Sequence, residues 1–431
     1  MQLWKHQAKA LEATVTPKFR SGTHAHATGT GKSKLGLSVI HTFSKSNPNK
    51  IVIWVCEQTS VISDIFSNNE VDESFTIVDL ARNKPKNWPK QVSKLNNDGA
   101  KLLVTVNRAF LVSKGRYEDL EAPIGLVLHD ECHSGAGKTM RQFYDWLERS
   151  NPSVHVVGLS ATPPNVSKSP CKALANIISR FSIYDATKQG IIVPLRMYWC
   201  SAKDRPSYAA RLSSKGKAKL ALSIARTHEV SKMIVWCGTI QHCLDTAEAW
   251  ASVFKGWLIC VDTSRSTSCF PKYKSFVSTN SPAILFCAAK HREGSDIPGL
   301  SMGVFVDGVA KRRASVFVQC VGRVLRRPTP GYRKDMGIVL DLHASNGMEL
   351  CNRLGEYLRL PPGKMPWTLG HASVGCATLC HLTLDTSEKS SPPNTLGLRK
   401  HVNLASFFTR SYPQSQAYTV RIKQELSLMQ E

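Results

Sequence analysis

No apolar run in the chain approaches the roughly 20 residues that a membrane-spanning helix requires, and no apolar signal core stands near the N-terminus. No internal repeat is visible either. Acid is scarce: 32 Asp plus Glu stand against 56 Lys plus Arg in 431 residues, a formal net charge of +24. Such an excess gives salt-dependent attraction to polyphosphate and says little about fold. The 13 cysteines are odd in number and scattered singly through strand-like runs, so they read as small buried apolar residues and not as a disulfide framework. A soluble protein of an intracellular, reducing compartment is the expectation, with a nucleic-acid partner and no membrane.

What the chain does carry is HATGTGKS, His26 to Ser33, followed by DECH at residues 130–133. In the first run Thr28, Gly29, Thr30 and Gly31 are small enough for backbone N–H groups to close around a β-phosphate. Lys32 offers charge to the β- and γ-oxygens, and the Ser33 hydroxyl can ligate Mg²⁺. His26 stands at the first position of the loop pattern, where glycine is usual. The second run follows the mostly apolar segment Ile124 to Leu128, which predicts a buried parallel strand delivering Asp130 and Glu131 at its C-terminal end. There Asp130 would hold Mg²⁺ through its shell, and Glu131 would orient or deprotonate an attacking water.

Two further elements follow in order. LSATP, Leu159 to Pro163, comes after a predicted strand at Val154 to Val157, and its Ser160 and Thr162 can bridge hydrogen bonds from the Asp130–Glu131 end to neighbouring loops. QCVGRVLR places Gln319, Arg323 and Arg326 at i, i+4 and i+7, which predicts one helix face able to point at a transferring phosphate. GAGKT, Gly135 to Thr139, mimics a second phosphate loop but has no strand of its own before it.

Together these runs resemble a superfamily 2 helicase of the DEAH/DECH type, from the Gln7 region to about residue 345. They are most similar to restriction-enzyme motor subunits, excision-repair helicases and phage or large-DNA-virus helicases, which pair a TGTGKS loop with a GRVLR ending. The DECH tetrad also occurs in viral RNA helicases. The resemblance implies an α/β chain of two tandem RecA-like doubly wound parallel-sheet domains, residues 1–193 and 194–345, with a small C-terminal extension at 346–431. It implies ATP and Mg²⁺, hydrolysis in a cleft between lobes, and arginine fingers at Arg323 and Arg326. Gln7 looks like the glutamine that reads adenine, with Trp4 where these motors often carry arginine. Gly294 and Asp296, in EGSDIP, look like the element whose aspartate holds the ATP ribose or a coupling-helix arginine. Thr105, Asn107, Arg108, Gly238, Thr239 and Lys290 look like nucleic-acid contacts. The segment Ile51 to Gln58 resembles another such edge. Just before EGSDIP, Ala288 and Ala289 replace a threonine–aspartate pair, and Lys290 or His291 could supply charge instead. DNA is the favoured substrate; an RNA helicase and an ATP-gated clamp are the alternatives.

The remaining segments carry weaker patterns. Ile191 to Leu195, with Pro194, reads as the crossing between lobes, and Ser201 to Lys219 as a flexible basic segment. His371, Cys376, Cys380 and His381 match no zinc spacing well, so a loop-rich tail is expected after residue 345. With Gln7 so near Met1 and no nuclease constellation in the tail, a minimal motor is the expectation.

Overall fold

Uninterrupted apolar and β-branched runs such as IVIWVC at Ile51–Cys56 suit strands covered on both faces, and the computed structural model bears this out. It describes residues 2–56, 74–80, 87–114, 117–135, 137–163, 169–200, 212–265, 269–288, 291, 297–307, 314–327, 334–342, 367–374 and 377–384. The chain divides into two units, Met1–Ser182 and Ile183–Glu431.

The first unit holds a sheet of β1 (Gly22–His26), β2 (Ile51–Cys56), β3 (Thr76–Asp79), β4 (Leu102–Asn107), β5 (Ile124–Asp130), β6 (His155–Ser160) and β7 (Ile177–Phe181). The order is β3-β4-β2-β5-β6-β1-β7 and every pairing is parallel. Alternation along β2 divides its side chains between two cores. Ile51, Ile53 and Val55 pack with Val92, Phe143, Tyr144 and Leu147 from helices Trp88–Asn97 and Lys138–Ser150. Val52 and Trp54 pack with Leu35, Val39 and Phe43 of helix Lys32–Ser46 on the other face.

The second unit repeats the plan with β8 (Leu195–Cys200), β9 (Lys232–Cys237), β10 (Leu258–Asp262), β11 (Ala283–Ala288), β12 (Leu300–Phe305), β13 (Gly337–Asp341), β14 (Trp367–Val374) and β15 (Ala377–Leu384). Their order is β10-β11-β9-β12-β13-β8-β15-β14, parallel from β10 through β8. The segment that sequence marks as the crossing joins this unit: Ile192 bridges Arg326 and Leu195 opens β8.

Three sequence expectations need correction. Residues 214–219, read as flexible, begin the helix Ser214–Thr227, whose start is capped by the Ser213 hydroxyl accepting from the Gly216 N–H at 3.2 Å. Its buried stripe of Ala218, Leu220, Ala221, Ile224 and Ala225 was hidden behind alternating lysines. Residues 201–211 lie outside the described residues. Second, the loop-rich tail contains the hairpin β14–β15, which adds to β8 antiparallel. His371 and Cys380 are register partners in it and His381 is the next residue of β15, while Cys376 lies outside the described residues. No group of three or more possible metal ligands occurs among the described residues. Third, the helix carrying Gln319 and Arg323 is Ala314–Val324, so Arg326 does not share its face. Pairing with Ile192 draws the chain into an extended bridge there instead.

Candidate active site

Where β1 ends, the chain turns through Ala27 to Gly31 into helix Lys32–Ser46. Gly29 and Gly31 have φ of 84° and 73°, left-handed values that a side chain resists. A Cβ on Gly31 would also collide with the Gln7 amide nitrogen. Thr30 Oγ1 donates to the Ala27 carbonyl at 2.7 Å, closing the loop internally, whereas the buried Thr28 hydroxyl has no protein partner. Such a turn into a helix start is an anion cradle, its backbone N–H groups and helix dipole converging on one place. Gln7 braces the turn from outside, its Nε2 donating to the carbonyls of Gly31 at 3.0 Å and Thr30 at 3.3 Å.

The carboxylates stand at the C-terminal end of β5, with β6 alone between β5 and β1 in the sheet. Lys32 Nζ lies 3.6 Å from Glu131 Oε1. Glu131 has φ of 48°, an uncommon value for a residue with a side chain. Its N–H donates to Asp130 Oδ1 at 3.0 Å. Burial, then the Glu131 charge beside it, push the Asp130 carboxyl up to about 7, against the pull of Lys32. Carboxylates crowded in this way, with the Ser33 hydroxyl at the second position of the helix, form a hard oxygen set suited to Mg²⁺. From β6 between them, Ser160 Oγ accepts from the Thr162 N–H at 3.0 Å and lies 3.0 Å from His133 Nδ1, which is 3.4 Å from Glu131 Oε2. Ser160 thus adjoins the DECH end through His133, whereas the buried Thr162 hydroxyl has no hydrogen-bond partner among the described residues. GAGKT, by contrast, spans the end of a 3₁₀ turn and the start of helix Lys138–Ser150 and follows no strand of its own.

Sequence reasoning missed a histidine layer beneath the loop. Thr14 gives its hydroxyl proton to the Ala10 carbonyl at 2.8 Å, so at 3.0 Å it must accept from His24 Nε2–H. His24 Nδ1 then accepts from Ser179 at 2.7 Å, and Ser179 in turn accepts from His26 Nε2–H at 2.7 Å. His6 stacks on Phe181 with centroids 4.0 Å apart and meets the Thr30 carbonyl at 3.0 Å. Burial keeps His24 and His26 neutral, and that neutrality sets this order of donors. Burial lowers the His24 pKa to about 4, and burial with neighbouring His24, His6 and Lys32 lowers that of His26 to about 2. His129, bonded to Tyr144 at 2.8 Å, is lowered to about 3, chiefly by burial. In the unfolded chain these rings take up protons near pH 6.5. Between there and about 4 the unfolded state binds more protons, so stability falls as pH falls, by roughly 1.4 kcal/mol per pH unit for each ring. Chemical denaturation at pH 7 and pH 5 should show this as a lower midpoint in acid; equal midpoints would mean the rings are not held neutral.

The other sequence-marked residues divide by exposure. Thr105 is buried in β4 with its hydroxyl donating to Asp79 at 3.3 Å, so any polymer contact here falls to Asn107 and Arg108 at the strand end. Asn107 Oδ1 accepts from the Ala109 N–H at 2.9 Å, fixing the start of helix Arg108–Lys114. Gly238 and Thr239 are exposed at the start of helix Ile240–Ala251, where Thr239 Oγ1 accepts from the His242 N–H at 3.1 Å. Gln319 and Arg323 are buried in the second unit. His291 Nε2 lies 2.7 Å from Asp262 Oδ2, and its ring stacks on Tyr273. Lys290, Gly294 and Asp296 lie outside the described residues, as do Glu57 and Gln58.

Residues 1–165 match the family described as type III restriction enzyme, res subunit. The chain resembles a superfamily 2 helicase. Solved structures agree on the fold, two tandem RecA-like units. The type ISP restriction-modification enzyme LlaBIII bound to DNA is 14% identical with a TM-score of 0.59, over 79% of this chain and 27% of that one. A putative HsdR subunit of a type I restriction enzyme from Vibrio vulnificus YJ016 is 19% identical with a TM-score of 0.59, over 83% and 66%. The DEAD-box helicase Mss116 bound to ssRNA is 15% identical with a TM-score of 0.58, over 84% and 74%. The chain thus spans about a quarter of LlaBIII. No curated protein sequence matches it.

Proposed function

We propose that this chain is a nucleic-acid-stimulated ATPase of the DECH type, an ATP-driven helicase or translocase. The observation that carries the reading is Lys32 Nζ at 3.6 Å from Glu131 Oε1, which sets the cation of a phosphate loop against a carboxylate placed to orient water. Lys32 and the loop N–H groups bind the β- and γ-phosphates, and Gly294 and Asp296 serve the ribose side. Ser33 and Asp130 would hold Mg²⁺, which when bound neutralises phosphate charge. Glu131 takes the proton of the attacking water, with His133, itself held by Ser160, beside its carboxylate. Ser160 and Thr162 pass the state of this site to neighbouring loops. Gln319, Arg323 and Arg326 act on the transferring phosphate from the second unit.

Nucleic acid is the polymer partner, held through phosphates by the exposed Gly238–Thr239 helix start, by Asn107 and Arg108, and by Lys290. DNA is the proposed substrate, supported by the res-subunit match over residues 1–165. The DECH tetrad supports RNA as a second reading. Ala288, which ends β11 without a hydroxyl, supports a third, an ATP-gated clamp that does not unwind.

ATPase rate without polymer, with single- and double-stranded DNA, and with RNA, each at 50 and 200 mM salt, tests this. Stimulation should be largest with DNA. Polymer affinity should drop by about 10³ or more across that range if six or more phosphates are contacted. Stimulation by RNA alone would overturn the DNA preference, and none by any polymer would remove the motor reading.

A further inference from the structure

The Gln7 amide already has protein partners at both of its polar atoms. Its Nε2 donates to the Gly31 carbonyl at 3.0 Å and to the Thr30 carbonyl at 3.3 Å, while its oxygen accepts from the Trp4 N–H at 2.9 Å. An amide that pairs with a base edge must offer a donor and an acceptor together, and here both are engaged with Trp4 and the phosphate loop. What the same contacts secure is Trp4. Its backbone is tied through Gln7 to the phosphate loop, and its six-membered ring edge lies against Gly31, 3.4 Å from where a Cβ would stand. The indole is 48% exposed, whereas Trp54, Trp88, Trp236 and Trp250 are at most 2% exposed. Leaving that much aromatic surface in water forgoes burial that those four obtain.

We infer that Trp4 is a stacking platform for the base of the bound nucleotide, and that the site takes nucleoside triphosphates with little discrimination between bases. The inference rests on the ATPase reading, since the loop must first hold the phosphates. Every base has a π-face, so stacking on an indole contributes affinity without selecting among them. Selection by hydrogen bonds would need polar groups that go unpaired with the wrong base, and Gln7 has already been satisfied elsewhere.

The test is equilibrium binding of the Mg²⁺ salts of ATP, GTP, CTP and UTP to the full chain, with tryptophan fluorescence recorded alongside. The four dissociation constants should lie within about tenfold of one another, as for sites that discriminate without a reading edge. Trp4→Ala should weaken all four about tenfold, near the low end for base–aromatic stacking. Trp4→Phe should restore most of that affinity, and the part of the quenching due to Trp4 should vanish in both variants. Thermal melting of Trp4→Ala separates lost stacking from lost folding, and the wild-type comparison needs no variant. An ATP preference beyond about 100-fold, the mark of a hydrogen-bonding base site, would overturn the inference. So would unchanged affinities in Trp4→Ala, while the ATPase reading would survive both. Failure of the wild-type chain to bind any of the four would overturn the two together.

Discussion

Glu131→Gln is expected to bind Mg²⁺·ATP as the wild type does and to turn it over at least about 10²-fold more slowly, the usual contribution of a positioned general base. Glutamine keeps the size and the hydrogen-bonding oxygen but cannot take a proton from water. Removing the Glu131 charge also relieves the repulsion that, after burial, does most to push the Asp130 carboxyl up, so cation binding at Asp130 should not suffer. Lys32→Ala should fail differently. It removes the cation that stands 3.6 Å from Glu131, so nucleotide affinity falls along with turnover. Steady-state ATPase rates with fluorescent-nucleotide binding on both variants separate the cases. A Glu131→Gln protein hydrolysing ATP at the normal rate would end the assignment of Glu131, whatever Lys32 does.

The phosphate loop and the DECH end were legible in sequence because their chemistry is local. Glycine is needed at Gly29 and Gly31 for left-handed backbone, and Asp130 ends a strand whose residues are all buried. Spacing along one element could not show that β6 runs between the loop and the carboxylates, which is what sets Ser160 beside His133. The histidine layer escaped notice for the same reason. His6, His24 and His26 meet only after the helix Lys5–Val15 packs beside β1 and β7, and Ser179, which links two of them, is 153 residues from His26. Sequence could not show that Thr105 is covered, because β4 is buried on both faces as far as Val106 and only its last residue, Asn107, is partly exposed. The extension of the QCVGRVLR helix to Arg326 failed through tertiary competition, a pairing with Ile192 overriding helical periodicity.

That failure changes what should be expected of the two arginines. Arg323 lies inside helix Ala314–Val324, is 5% exposed, and sits four residues after the buried Gln319. Arg326 is attached to an extended segment beyond the helix end and is less enclosed. If both act on the transferring phosphate, as we propose, Arg323→Lys and Arg326→Lys keep a positive charge but lose the planar fork that matches two phosphate oxygens. Each should lower polymer-stimulated kcat, by up to about 10³-fold on the scale of arginine fingers, with little change in KM for ATP. Arg323→Ala would also leave a buried gap, so the lysine variant and a melting curve are needed to separate chemistry from packing. Helix placement makes Arg323 the stiffer of the two, and its replacement should cost more. Wild-type turnover in both lysine variants at saturating polymer would return the pair to a structural role in the second unit, and an Arg326 effect larger than that of Arg323 would show that the bridge with Ile192, not the helix, sets the geometry.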